Sequence, residues 1–428
     1  MRKSADLFLS LFYAAALFLY CFEALWDEAT QVLYMAIALC CVCVGAYCVI
    51  SGRLYRNRDT RLLAAFLALT WVSALYNYGF SAAYFETRFF FVWAFLTCGY
   101  FCVQTVREPE RFLLLCTRSG VAGLAIVNAC CLLHATLSLT SPVPGRNTVL
   151  GCFELGRLCA LHNANLMGFS CCALVLLSIY GALREKGKLR LFYALGALLG
   201  WFNLGLTNFR AGMICVSLAV GLLVFSLLYR RSVHCLAAAA AAVLAAGGML
   251  ASLYLPLPLY RGVLRAFPAH FFLTEHSFLP RALSDSATLD DRSLIARTVL
   301  REIFRSPRRF WLGISSISET AIRGVYPGHH EILIAHAHNT YLDIFRRFGV
   351  FALALLLWLL VLWCRCGVRQ FFDKKASGAA AFLMAIACVT LVMGLVEQMP
   401  FPIGGAHSLS IPFFLICGYA ARTGRNLP

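Results

Sequence analysis

From Cys235 to Tyr254 the chain reads CLAAAAAAVLAAGGMLASLY, without one charged side chain. A helix of ~20 such residues matches the thickness of a bilayer's apolar core, and inside lipid only a helix or a closed barrel satisfies every backbone N–H and C=O. Similar apolar runs recur along most of the sequence. Hydrophobic residues make up 61% of the 428, charged residues 13%, and mean hydropathy is +0.76. Soluble domains are roughly half apolar and about a quarter charged. The expected fold class is an all-α polytopic membrane protein with lipid as the solvent for most of its surface.

Twelve spans are expected, at 6–26, 31–50, 62–80, 88–106, 117–139, 160–182, 190–207, 211–229, 233–255, 349–365, 378–398 and 406–422. The first is expected to be a retained span and not a removable signal peptide, because CFEALWDEAT offers no small-x-small cleavage site. Orientation follows from the short loops. Arg53, Arg56, Arg58 and Arg61 fall in one; Arg107, Arg111 and Arg118 in another. Arg184, Lys186, Lys188 and Arg190 follow, then Arg230 with Arg231, then Arg369, Lys374 and Lys375, and finally Arg422 and Arg425. The alternate loops, such as SAAYFET at 81–87, are poor in positive charge. Twelve spans with both termini cytoplasmic satisfy the rule that short basic loops stay inside.

The formal charge of +17 belongs to that pattern. Five lysines (Lys3, Lys186, Lys188, Lys374, Lys375) stand against thirty-two arginines (37 − 5), and no RNA- or DNA-reading motif appears. Nucleic acid is not an expected partner. Most of the twenty cysteines lie in apolar runs, where a cysteine is a small packing residue. Cys152 and Cys159 lie in a polar segment expected to face outward, where a bridge between them is open. No CxxC…CxxC zinc pattern occurs, and no cofactor is expected.

This topology exports one long loop, roughly 256–340. The resulting division is 1–255 with the first nine spans, 256–340 as an extracytoplasmic lid, and 341–428 with the last three, in a single membrane-embedded domain. The loop holds six of the ten histidines (His270, His276, His329, His330, His336, His338), ten arginines, and no lysine or cysteine. Within it LDDRSLIARTVLREIFRSP reads as an amphipathic helix. Leu294, Ile295, Val299, Leu300, Ile303 and Phe304 share its apolar face, and Pro307 ends the pattern.

Polar chemistry gathers at the loop's end, in HAHNTYLDIFRRFGV. Asn339 or Thr340 is a good N-cap, and Thr340-x-x-Asp343 has capping-box form. A helix running from here into the tenth span leaves His338 just before a helix N-terminus, whose dipole disfavours a protonated imidazole. A neutral imidazole is what a general base requires; the plainer reading is an interfacial polar residue beside a cap. Asn339 would cap or orient it. Arg210, in GLTNFRAGM, falls in the outer turn between the seventh and eighth spans. It reads as a snorkelling side chain or as a guanidinium able to grip phosphate through two N–H groups. Arg292 and Arg297 share the lid helix, Arg292 within reach of Asp290 and Asp291. Arg346 and Arg347 stand three and four residues after Asp343, the spacing of intrahelical pairs. Glu397 is an ionisable group at the outer end of the eleventh span. A metal site of His329, His330, His336 and His338 is a rival reading that no HExxH or histidine–carboxylate spacing supports.

HNTYLDIFRRFG resembles the His-Asn-x-x-Leu pattern, with Gly eleven residues after the His, of the O-antigen ligase and O-antigen polymerase superfamily. TNFRAG resembles its Thr-x-Ser-Arg-Gly element. DRSLIARTVLREIFRSPRRFWLG resembles its Arg…Pro-x-x-x-x-Gly lid, and LHNANLMG is similar to its Asn-Pro-Asn-x-x-Gly element. The resemblance runs from about residue 150 to the C-terminus. Three positions depart from it: Phe209 for Ser, Ala164 for Pro, and Ala211 for Gly.

The resemblance implies a metal-independent glycosyltransferase of the cytoplasmic membrane, with its site on the periplasmic or outer face. The implied donor is a glycan on undecaprenyl diphosphate, and the implied acceptor a glycan or lipid A core hydroxyl. His338 would act on that hydroxyl, Arg210 and Arg292 would hold the diphosphate, and Asn339, Arg297 and Glu397 would support them. Ligase and polymerase differ in acceptor, which no residue here names; the full His-Asn motif and developed loop favour ligase. A transporter would place ionisable groups or broken helices at mid-membrane, whereas these spans are nearly charge-free inside.

Overall fold

The computed structural model describes residues 2–22, 31–78, 87–140, 149–154, 157–161, 163–265, 287–314, 322–325, 331–334, 337–397, 399–401 and 408–424. The chain forms helices α1 (Arg2–Tyr20), α2 (Gln31–Ser51), α3 (Arg58–Tyr78), α4 (Thr87–Thr105) and α5 (Pro109–Thr140), then a small hairpin of β1 (Cys152–Glu154) and β2 (Arg157–Cys159). Helices α6 (Ala164–Arg184), α7 (Lys188–Thr207), α8 (Arg210–Arg230), α9 (Cys235–Ser252) and α10 (Pro256–Arg265) follow. The segment expected as a lid carries α11 (Ala287–Ile303), α12 (Pro307–Leu312) and a second hairpin of β3 (Ile322–Val325) and β4 (Glu331–Ile334). Helices α13 (Thr340–Phe372), α14 (Gly378–Met393) and α15 (Ser410–Gly424) complete the chain.

The protein is thus a helical, multi-pass membrane protein. Each of the twelve segments expected as spans overlaps a helix among the described residues. Among the described residues six stretches are long and apolar enough to cross a bilayer unaided: Pro109–Leu137, Ala164–Arg184, Lys188–Thr207, Arg210–Arg230, Cys235–Tyr260 and Thr340–Phe372. Shorter apolar helices occur at Ser4–Tyr20, Met35–Ser51, Val92–Thr105 and Gly378–Met393. The two β-hairpins are additions that an all-helical reading does not contain.

Burial ranks the helices. The apolar window of α6 is 78% buried and that of the stretch beginning at α9 only 11%, so α6 is the axis of the bundle and α9 its rim. Side chains from α5, α6 and α7 meet in a polar knot inside the apolar interior. Asn128 Nδ2 donates to Ser170 Oγ at 2.9 Å, and Asn203 Nδ2 donates to the Asn128 carbonyl at 3.0 Å, all three side chains being fully buried. Where lipid is the alternative solvent, such bonds link helices that apolar surface alone would not hold together.

The two ends of the bundle differ in charge. At one end Arg118 Nε donates to Glu185 at 3.1 Å, Arg184 pairs with Glu110, and Arg107 stands 3.7 Å from Asp6. Arg422 gives N–H groups to the last carbonyls of α4, Gln104 at 3.2 Å among them, and Arg230 to Phe371 at the end of α13 at 3.2 Å. Guanidiniums on C-terminal carbonyls satisfy orphan acceptors and oppose the helix dipole. The basic loops therefore share one end of the molecule.

At the opposite end α11 and α12 fold against α3 and α13. Val299 and Ile303 pack with Ala337 and Phe345 in a small separate core, which is the apolar face that periodicity selects. Phe304 departs from it. It lies just past the helix and is 64% exposed, although its ring packs at a tilt on Phe310 and edge-to-face with Phe345. Pro307 stops one helix and also opens the next, at the first turn of α12 behind Ser306 as N-cap. Ser73 Oγ of α3 bonds the carbonyls of Leu312 at 2.5 Å and Arg347 at 3.0 Å, tying three elements at one hydroxyl.

The unbroken helix expected from His338 into the tenth span is corrected here. Helix α13 breaks at Gly349, whose φ of 81° and ψ of 179° are non-helical. A Cβ there would run into the Trp311 carbonyl, so the close passage of α12 dictates both the conformation and the glycine.

Candidate active site at the start of α13

Asn339 is the N-cap of α13. Its side-chain oxygen accepts from the N–H groups of Tyr341 and Leu342, each at 3.0 Å, and its Nδ2 donates to the Leu395 carbonyl at 3.0 Å. Thr340, the other candidate cap, serves elsewhere. Its N–H donates to the Gly394 carbonyl at 2.8 Å and its hydroxyl to the Phe401 carbonyl at 3.3 Å. Tyr341 closes the seam by donating to the Leu391 carbonyl at 3.0 Å. The start of α13 is thereby fastened to the end of α14. Asp343, fully buried, has a role that its spacing to the arginines does not suggest: its Oδ1 accepts the Ala337 N–H at 2.9 Å, across the first turn.

His338 is held between these two anchors. Ala337 is fixed from one side and Asn339 from the other, and His338 takes φ of 48°. A non-glycine residue in the left-handed region is uncommon and persists where surroundings over-determine it. The conformation brings Nδ1 to 3.6 Å from Glu397 Oε2, with 31% of the His338 side chain exposed and 7% of the Glu397 side chain. Glu397 sits in the turn that follows α14, where its N–H donates to the Met393 carbonyl at 2.9 Å. At ion-pair distance, a buried carboxylate facing one ring nitrogen can offset the charge an imidazole gains on taking a proton.

Arg210 opens α8 at the same end of the bundle. The turn before it is two residues, Asn208 at φ of 48° and buried Phe209. Arg210 is exposed and makes no hydrogen bond or ion pair among the described residues. Phe209, the departure from the family's serine, fills space opened by two glycines. A Cβ on Gly168 would come within 2.5 Å of its ring, one on Gly212 would collide with it, and Phe169 meets it edge-on at 4.8 Å. Helix α14 packs against both α8 and α13, so the helix that leads to Glu397 touches both the helix that Arg210 opens and the one that follows His338.

Arg297 lies exposed on α11. Arg292 belongs to the same helix, but its side chain lies outside the described residues, as do His329, His330 and His336. The structure therefore brings Glu397 and Asn339 to His338, and shows no contact of Arg210 or Arg297 with it.

Two features escape sequence reading. Arg346 is 2% exposed, and its Nε is 3.7 Å from Glu302 of α11, whose other oxygen accepts from Arg309 Nη1 at 2.9 Å. One acid thus joins α11, α12 and α13, where the i, i+3 spacing to Asp343 suggested a pair within α13. Arg157, on β2, donates from Nε to the Thr207 carbonyl at 2.8 Å and from Nη2 to Asn165 Oδ1 at 3.2 Å. No periodicity in FELGRLC marks it.

Compared with curated proteins one by one, the chain matches none. Against family models, residues 195–357 match the family described as O-antigen ligase. That stretch runs from α7 into α13 and includes the α7–α8 turn with Arg210, helix α11, and the His338–Asn339 start of α13. Over these residues, 163 of the chain's 428, the sequence is similar to the O-antigen ligase family.

Proposed function

We propose that the chain crosses the cytoplasmic membrane twelve times with both termini inside, and that 256–340 forms an outer lid. In this reading it is an O-antigen ligase-type enzyme that moves a glycan from undecaprenyl diphosphate to a sugar hydroxyl of a lipid A core or another surface glycan. The observation that carries the reading is the strained His338, facing Glu397 at 3.6 Å at the end of the bundle opposite the basic loops. Basic loops stay cytoplasmic, so this end faces outward, toward a donor whose diphosphate lies at the headgroup level.

The acceptor hydroxyl attacks the anomeric carbon while Nε2 of His338 takes its proton. Glu397 holds the opposite edge of the ring. The bond between the anomeric carbon and the phosphate oxygen breaks, and undecaprenyl diphosphate leaves with the electron pair. Arg210 and Arg292 stabilise the charge that develops on it, an interaction strengthened where water is excluded. A polymerase of the same superfamily would use the same groups with a lipid-linked acceptor.

The test is reconstitution in liposomes with an undecaprenyl-diphosphate glycan, separate acceptors and a chelator throughout. Product should form with chelator present and should fall by ~10²-fold or more in His338→Ala, with a comparable loss in Arg210→Ala. Full activity in His338→Ala sinks the assignment. Loss with chelator alone points to a metal. Transfer only to a second lipid-linked glycan makes it a polymerase.

A further inference from the structure

The β1–β2 hairpin has no part in the reaction above, yet it ties together the helices around it. Arg157 holds the last carbonyl of α7, at Thr207, and Asn165 of α6. Phe153 stacks on Tyr260 of α10 at 5.2 Å, and the Tyr260 hydroxyl meets Thr136 of α5 at 2.7 Å. The Gly151 carbonyl, one residue before β1, meets His134 Nδ1 at 2.7 Å. Thr207 lies three residues before Arg210, so the hairpin braces the turn that presents that guanidinium.

At the open end of this hairpin Cys152 and Cys159 stand directly opposite each other in the antiparallel register, Cys152 half-buried and Cys159 buried. Directly opposed residues of such a pair have Cα atoms about 4.5–5.5 Å apart with side chains on the same face. That spacing lies inside the window of roughly 4.4–6.8 Å that a disulfide requires. Both are thiols in this structure. Thiols elsewhere differ in setting: Cys102 lies 3.9 Å from both Cys48 and Cys98, buried between α2 and α4 toward the basic end.

We propose that Cys152 and Cys159 are a redox pair, joined by a disulfide that locks the hairpin as a brace for the α7–α8 turn. The inference rests on the outward orientation proposed above, since extracytoplasmic compartments favour disulfides and the cytoplasm opposes them. The oxidant is the disulfide of a thiol–disulfide oxidoreductase or of a small thiol. One cysteine thiolate attacks it to give a mixed disulfide; the second displaces the carrier. The two cysteines give up two electrons and two protons, and the carrier leaves as two thiols.

The experiment uses the full-length protein in membranes, quenched with acid and treated with N-ethylmaleimide before extraction. Trypsin cuts after Arg157, between the two cysteines, so the oxidised form is a pair of peptides joined by one sulfur–sulfur bond and separated by reductant. Finding that pair supports the proposal; recovering both cysteines as maleimide adducts overturns it, with no activity measured. In right-side-out vesicles an impermeant maleimide should label Cys152 in the Cys159→Ser protein. Absence of label there overturns the orientation on which the pair depends. In the reconstituted enzyme, reductant should raise the donor KM several-fold in wild type and leave it unchanged in Cys159→Ser; an unchanged wild-type KM overturns the brace.

Discussion

Glu397 sets its carboxylate 3.6 Å from Nδ1 of His338, and the seam between the start of α13 and the end of α14 brings them together. Glu397→Gln keeps the side chain's size and removes its charge. In the reconstituted transfer assay kcat should fall on the order of 10²-fold with KM little changed, because the loss concerns the ring's orientation and charge in the transition state. A rise in KM alone would place Glu397 in substrate binding.

The Glu302–Arg346 pair predicts how firmly α11 and α12 are held against α13. Arg346→Ala leaves Glu302, only 15% exposed at its side chain, paired with Arg309. Breaking a buried pair from one side costs about 3–5 kcal/mol, whereas apolar replacement of both members is often near neutral. Arg346→Met with Glu302→Met should therefore unfold, in detergent, at a temperature closer to wild type than Arg346→Ala does. Partial retention of the Arg309 contact sets the lower end of that range.

Gly349 should tolerate no side chain. Gly349→Ala combines a positive φ with a clash against the Trp311 carbonyl, and strain of this kind costs about 1–3 kcal/mol before the clash is counted. Thermal unfolding should show the loss. Gly247→Ala, in α9 where a Cβ meets nothing within 4 Å, is the control and should be neutral or slightly stabilising.

Phe209 gives a test of packing between α6 and α8. Phe209→Ser restores the residue type of the family pattern but empties a site bounded by Gly168 and Gly212. Large-to-small changes of this sort cost about 3–5 kcal/mol for phenylalanine. Adding Gly168→Ala to Phe209→Ser should recover part of the loss, whereas Gly168→Ala alone should be destabilising, and a melting series on the three variants reads both signs.

Much of the architecture was legible from residue order alone. Runs such as Cys235–Tyr254 fix helices because lipid leaves the backbone no other local partner, and the arginines of the short loops fix which helix ends share a face. Asn339 as one of two candidate caps and the apolar stripe through Val299 and Ile303 were legible as well, since each depends on neighbours within a few residues. What lay beyond reach depends on contacts between residues far apart in the chain. The break at Gly349 follows from the passage of α12; Arg346 turns to Glu302 on another helix; Arg157 reaches the last carbonyl of α7. The pairing of His338 with Glu397 is of the same kind. Sequence placed both at an outer helix end, and only the packing of α13 on α14 turned the carboxylate toward the ring, because hydrogen bonds across that seam hold the backbone where neither local propensity nor periodicity would put it.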